Sequence, residues 1–433
     1  MKVLEYLLIF LLIFSPLFYG SVGQIPFSVI EITSLCCFLL LVFSARFSNR
    51  KLIYPGKIIF VMIFLLFIIF QIINLPGFIL KIISPHTYIL KQQYNPHLTA
   101  FGFSQLSFYS FASIEGLIRF ISFFLIFICV LNVFEKKEQF ERITLILIFL
   151  GLLLSFYGII TKYFILQKQF TRTFSTFGNR NHFAAYMIMI APLSITYALY
   201  CRSKNKKIIF SFIAAIICSA VFLSLSRGGS ISLIIALIFM SYLLMKEKLH
   251  GNQHWIIAAV IIFALLLVSM SGFGPMQHRL SILKEGFAGR LSVVSDSLAI
   301  LKNFPLFGIG LDNFRYVFSM YQKSRQITSY YDYLHNDYLQ FLVEAGLICT
   351  VLLLIFFLGL FKNILTGLAK RHDPFAKSIV IGGFCGMLAV SMHSFVDFNF
   401  HITAVALLFW FLLGLTYKCV FTHLYSAGEI EDN

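Results

Sequence analysis

Long, unbroken apolar runs alternate with short polar breaks along the whole chain. Twelve stand out, at 4–20, 26–45, 57–74, 115–134, 142–161, 183–201, 208–225, 230–246, 254–271, 342–361, 376–395 and 401–420. A helix rises about 1.5 Å per residue, so each run suffices to cross roughly 30 Å of hydrocarbon. The strands of a membrane barrel alternate and are about half as long, which excludes them here. The pattern predicts an all-α polytopic membrane protein, one integral domain over residues 1–433 with about 12 transmembrane helices. Met1-Lys2 and the apolar run behind them read as a retained first span, because no small-x-small cleavage site follows.

The connection at 272–341 is far longer than a connector needs. Within it Leu291, Val294, Leu298 and Leu301 recur at helical spacing. They predict an amphipathic helix on the membrane surface, opening at Arg290 and ended by Asn303-Phe304-Pro305. Gly308-Ile309-Gly310 predicts a turn, and a second helix is expected to start near Tyr331 and run through His335 into the tenth span. The acidic tail from Glu429 to Asp432 reads as disordered.

Charge orients this frame. Basic residues crowd alternate breaks: Arg46, Arg50 and Lys51; Lys136 and Lys137; Arg202, Lys204, Lys206 and Lys207; Lys246 and Lys248; Lys370, Arg371 and Lys377. The positive-inside bias puts these breaks, and both termini, in the cytoplasm. The loops at 75–113, 162–182 and 272–341 then face the other side.

Composition sharpens the class. Of 433 residues, 59% are hydrophobic and 12% charged, about half the charged fraction of a soluble protein. The formal charge of +16 sits in short clusters where topology needs it, so nucleic acid is not an expected partner. Most of the eight cysteines lie inside apolar runs without a C-x-x-C, which argues against a disulfide framework or thiolate metal site. No Asp-x-Asp, His-x-x-x-His or nucleotide-binding glycine loop stands at an outer edge. A divalent metal and a nucleotide-sugar donor are therefore not expected, and no cofactor is.

The polar residues that remain are few. His335 lies in Leu334-His335-Asn336-Asp337-Tyr338-Leu339-Gln340, and a neutral imidazole accepts a proton near neutral pH. Asp332, at i−3, and Asp337 are the carboxylates positioned to orient it. Asn336 and Gln340, at i and i+4, offer hydrogen-bond groups for sugar hydroxyls. Arg227 sits in Ser226-Arg227-Gly228-Gly229-Ser230, between two spans, where a helix start and a guanidinium suit a phosphate. The competing reading is an arginine reaching for the interface. Arg290 at a helix start is electrostatically awkward unless an anion binds there. Arg180, before the sixth span, adds to the same positive surface. Glu115 and Arg119, at i and i+4, read as a salt bridge inside the bundle. Asp397 and Asn399 read as caps of the twelfth span or, with His393, as substrate contacts.

Taken in order, Phe177-Gly178-Asn179-Arg180-Asn181-His182-Phe183-Ala184, Ser226-Arg227-Gly228-Gly229, Gly289-Arg290 with Phe304-Pro305-Leu306-Phe307-Gly308-Ile309-Gly310, His335-Asn336-Asp337-Tyr338-Leu339-Gln340 with Glu344-Ala345-Gly346, and His393-Ser394-Phe395-Val396-Asp397-Phe398 resemble the bacterial O-antigen ligase and polymerase superfamily. The ordered set covers 177–398. The resemblance implies a type C-like membrane fold and an inverting, metal-independent glycosyltransferase of the bacterial inner membrane. Its donor would be a glycan on undecaprenyl pyrophosphate, and its acceptor the lipid A core or a growing glycan. The family's two essential arginines map onto Arg227 and Arg290 and its essential histidine onto His335, with 272–341 as the periplasmic catalytic loop. Arg180 departs from the common pattern, where a small residue or proline is usual. A polymerase of surface polysaccharide, a protein O-oligosaccharyltransferase and a transporter of lipid-linked glycan are the alternatives.

Overall fold

The computed structural model describes residues 1–96, 98–162, 173–247, 258, 262, 283–323 and 331–422, with residues 283–290 described by their backbone alone. The chain folds as an all-α multi-pass membrane protein. In order it forms α1 (Lys2–Leu17), α2 (Gln24–Phe47), α3 (Ile58–Ile72), α4 (Gly77–Ile83), α5 (Pro85–Tyr94), α6 (Ser110–Val133), α7 (Lys137–Ile160), α8 (Arg180–Tyr200), α9 (Lys204–Leu223) and α10 (Arg227–Lys246). Then follow α11 (Leu283–Asn303), α12 (Phe314–Val317), α13 (Asp337–Lys370), α14 (Pro374–His393) and α15 (Thr403–Phe421). A two-residue antiparallel pair, Leu75–Pro76 with Phe103–Ser104, is the one sheet among the described residues. Nine described helices are long and apolar enough to span a bilayer, and α1 and α3 are shorter apolar helices at two further predicted positions. The run at 254–271, the acidic tail and parts of the connections at 162–182 and 272–341 lie outside the described residues.

Helices α8, α14 and α15 form the centre, and each buries most of its surface. Lipid tails are as apolar as leucine, so close contact rather than water exclusion holds such helices together. Small residues make that contact possible: a Cβ added at Gly386 of α14 would lie 2.4 Å from the Met189 carbonyl oxygen of α8. Helix α1 packs into the same core through Leu4, Leu8, Leu11 and Leu12. Its buried Glu5 meets Arg142 of α7 at 2.7 Å. All eight cysteines are free.

Helix α13 is broken. Gly346 has φ +78°, so the carbonyls and amides around it lose their helical partners. In a membrane protein those groups must be satisfied from elsewhere. Segment 305–310 supplies the partners. Ile309 N–H donates to Val343 O (3.1 Å) and Gly310 N–H to Glu344 O (2.9 Å), while Leu347 N–H donates back to Pro305 O (2.9 Å). Gly308, also at positive φ, makes the approach possible, since a Cβ there would lie 2.3 Å from Glu344 O. The predicted turn at Gly308-Ile309-Gly310 is thus also a plug for the break in α13.

Two expectations for this region are corrected. The second helix does not run through His335: it begins at Asp337, with Asn336 as its cap, and His335 sits outside it at φ +60°. The surface helix begins at Leu283 rather than at Arg290. Its inward face is Val293, Ser297 and Ile300, whereas Leu291 and Leu298 of the expected stripe are about half exposed. Val294 and Leu301 of that stripe do pack against the cluster of Phe304, Phe314 and Phe318, so the inward face is rotated from the expected one rather than replaced.

Candidate active site

Three helix N-termini and one C-terminus meet at one end of the bundle. Each start is capped as its sequence prescribes: Asn179 accepts from Asn181 N–H at α8, Ser226 from Gly229 N–H at α10, and Asn336 from Leu339 N–H at α13. The positive ends of the three helix dipoles favour a negative charge there. The C-terminal end of α14 closes the group. His393 packs so tightly on α10 that a Cβ at Gly228 would fall 2.8 Å from its Nε2, and one at Gly229 would strike Ala184 of α8 at 2.6 Å.

His335 and Asp397 face each other across this junction. Nδ1 of His335 lies 3.1 Å from Oδ1 of Asp397. The His335 side chain is 30% exposed and that of Asp397 is 1% exposed, so the ring bridges a buried carboxylate and open space. Asn181 fixes the other carboxylate oxygen, donating from Nδ2 to Oδ2 at 2.6 Å. Phe398 N–H donates to Oδ1. The Phe398 ring wedges between His182 (5.0 Å) and His335 (4.9 Å). Burial works against charge on Asp397. The His335 bond and the nearby imidazoles of His393 and His182 outweigh it and hold the carboxyl well below the usual carboxylate range. A left-handed backbone at a histidine costs on the order of 1–2 kcal/mol, and His335, Leu225 beside the α10 start, and Asp312 all carry it. Strain of this kind concentrates where geometry is imposed by surrounding structure.

The expected residues fare differently. Arg227 is the first residue of α10, and it is exposed. Arg180 opens α8, half-buried, next to the Asn181 that grips Asp397. Arg227 precedes the Gly228 that carries His393. Arg180, Arg227, His393, Asp397 and His335 therefore belong to one junction through their immediate neighbours. Arg290 lies seven residues inside α11, so the helix-start argument for it fails, and its side chain lies outside the described residues.

The supporting polar residues are reassigned. Asp332 is exposed, and the partner of His335 is Asp397 instead. The i−3 rule presumed a helix that His335 does not join. Asn336 and Gln340 are not free for hydroxyls: Asn336 caps α13, and buried Gln340 accepts from Leu334 N–H and donates to Glu344. Asp397 and Asn399 do not cap the twelfth span, whose cap position is Ile402. Arg119 pairs with Asp312 at 2.9 Å, across 193 residues, rather than with Glu115.

A second polar cluster, which sequence alone missed, adjoins the first. Asp312, Glu344 and His401 bring three possible metal-ligand atoms within 4.8 Å of one another. Several of their atoms already have protein partners. Glu344 accepts the backbone N–H of Asp312 (2.9 Å) and of Phe314 (3.2 Å), Asp312 holds Arg119, and His401 Nδ1 meets Asp337 at 2.9 Å. Below this cluster opens a cavity of about 380 Å³ between α6, α13 and α15. Phe120, Phe123, Leu353, Phe357 and Trp410 line it, and Arg119 and His401 stand at its polar end. Leu354 and Leu358, also on its wall, are more than half exposed on the outside of the bundle.

No curated protein matches this chain. Residues 209–354 match the family model described as O-Antigen ligase. That segment takes in Arg227, Arg290 and His335, together with the break in α13 that seats the plug. Its helices, its glycine-marked α10 start and its ordered motifs agree with that match, which supports a likeness to the O-antigen ligase and polymerase superfamily over this third of the chain.

Proposed function

We propose that this protein is an O-antigen ligase-like inverting glycosyltransferase that moves a glycan from undecaprenyl pyrophosphate to the lipid A core. The observation that carries the reading is the His335–Asp397 pair, part exposed and part buried, at a junction of three helix N-termini with Arg227 and Arg180 on its rim. Asp397 takes the Nδ1 side of the ring, which leaves Nε2 to receive a proton. The acceptor hydroxyl gives that proton to His335 as its oxygen bonds to the anomeric carbon. The bond from that carbon to the phosphate oxygen breaks, and undecaprenyl pyrophosphate departs with the electron pair. Arg227, with Arg290 and Arg180, stabilises the charge that collects on the diphosphate.

Guanidinium groups and helix dipoles supply this stabilisation without a divalent ion. In the one cluster with metal-ligand spacing among the described residues, Arg119 already pairs with Asp312 and two backbone amides with Glu344. The apolar cavity and its exposed leucine rim suit a prenyl chain entering from the bilayer. The reading puts the junction and 272–341 on the periplasmic face of the inner membrane and both termini in the cytoplasm, as the basic breaks require. A polymerase would use the same leaving group and the same residues.

The test is reconstitution with undecaprenyl-pyrophosphate-linked glycan and rough lipopolysaccharide. A covalent product containing lipid A supports ligation, an elongated lipid-linked glycan indicates polymerisation, and movement across vesicles with no new bond sinks the enzymatic reading. His335→Ala is expected to abolish transfer, by roughly 10²–10⁴-fold, while the protein still inserts in the membrane.

A further inference from the structure

The His335–Asp397 pair has a reciprocal. Two residues after His335, Asp337 takes the imidazole of His401, which stands four residues after Asp397. The same two segments thus exchange a histidine for a carboxylate in both directions, at 3.1 Å and 2.9 Å. One pair reaches open space. The other is enclosed: the Asp337 side chain is 5% exposed and that of His401 is 13% exposed.

Asp337 does more than hold the ring. Its second oxygen accepts Phe400 N–H at 3.0 Å, and its own N–H donates to Ser394 O at 3.0 Å. Tyr333 stacks on Phe398 at 4.3 Å, between the two pairs. On its far side His401 meets Gln340 (3.2 Å) and faces Asp312 (3.8 Å), and Asp312 is anchored by Arg119 of α6. The position of segment 394–401 relative to 333–337 is therefore set from α6 and α13 through His401 and Asp337.

We propose that His401 and Asp337 are positioning residues for His335 and Asp397: a buried brace that holds the two segments in register so that the exposed pair keeps its geometry. This rests on His335 being the base. The brace touches no reacting atom, so its loss acts on the chemical step through displacement of the imidazole. A displacement near 1 Å costs about 100-fold in rate.

The experiment uses the full-length protein in nanodiscs with undecaprenyl-pyrophosphate-linked glycan and rough lipopolysaccharide as acceptor, following release of undecaprenyl pyrophosphate, a readout common to ligase and polymerase. His401→Phe and Asp337→Asn are each expected to lower kcat about 100-fold, whatever they do to donor KM through the adjoining cavity. The double variant should be no worse than either single one, because one linkage is lost in all three. His401→Asn, which keeps a donor near the Nδ1 position, should recover most of the rate. Hydrogen exchange should rise together in 333–340 and 394–402 of His401→Phe and stay unchanged in α8. Turnover of His401→Phe within threefold of the unmodified protein, a loss confined to KM, or exchange that does not change in both segments each overturns the brace. If His335→Ala turns over donor normally, the base assignment fails instead, and exchange alone then decides whether the brace exists.

Discussion

Asp397 is the residue on which the proposed chemistry turns. It is ionised while buried, because the His335 hydrogen bond and two further imidazoles offset the cost of burial. Its carboxyl titrates below the unfolded value of about 3.9, so the stabilisation is complete above that value and disappears as pH falls through the folded value. Asp397→Asn is expected to lower kcat by roughly 10²–10⁴-fold, because the amide no longer favours the imidazolium and can select the wrong tautomer. The Asp397-dependent part of the melting temperature should therefore shrink as pH falls below about 3.9, and the variant should lack that part. A rate within threefold of the unmodified protein would remove Asp397 from the site. His335, Arg227 and Arg180 stand out in the sequence as candidates, because each lies in a local polar motif between greasy runs. The carboxylate partner was not legible, since it lies 62 residues away and local spacing favoured Asp332. His401, Glu344 and Asp312 were hidden for the same reason: an isolated polar residue beside an apolar run has no period to announce it.

At the scale of elements, apolar run length gave most ends of the described spans to within about five residues, because the bilayer sets that length, while α13 continues to Lys370 rather than stopping at 361. The break in α13 escaped, since Gly346 lies just inside an apolar run and one glycine in a helix is ordinarily tolerated. What distinguishes it is a partner far away in sequence: Pro305-Leu306-Phe307-Gly308-Ile309-Gly310 fits the gap, and neither motif explains itself alone. A Cβ at Gly346 would lie 2.3 Å from Leu306 O, on a backbone that already disfavours side chains. Gly346→Ala is expected to destabilise the fold by about 2–4 kcal/mol and to release segment 305–313. A thermal shift in detergent and hydrogen exchange on that segment check this. An unchanged melting temperature would mean that the helix can close over the break. Similar reasoning covers α11, where periodicity showed a helix and packing partners set how far its inward face is rotated from the expected stripe.

For the whole molecule, the notable division is between a tight centre and the cavity beside α13. Helices α8, α14 and α15 pack through small residues, while α13 meets α6 and α15 through Phe356 and Phe357 and leaves the cavity between the three. The cavity runs from the polar cluster toward the exposed Leu354 and Leu358, a path suited to a flexible chain whose head stays near the junction. Ala406→Phe, which fills the cavity from α15, is expected to raise KM for a long-chain prenyl donor by roughly 10-fold, about 1.4 kcal/mol of lost burial. A water-soluble short-chain analogue should be used as before. Equal effects on both donors would mean that the cavity does not hold the chain.

The stitched discontinuity in α13 also sets where the molecule can be cut and rejoined. Residues 337–345 are tied by backbone hydrogen bonds to 305–310 and by side chains to 394–401, whereas the helix beyond Gly346 faces its membrane neighbours. Mechanically that first portion of the span belongs to the cap. A graft taken from a related protein should therefore carry the loop before α13 through the equivalent of Gly346 as one block, and a seam at the start of the span would divide a rigid unit in two.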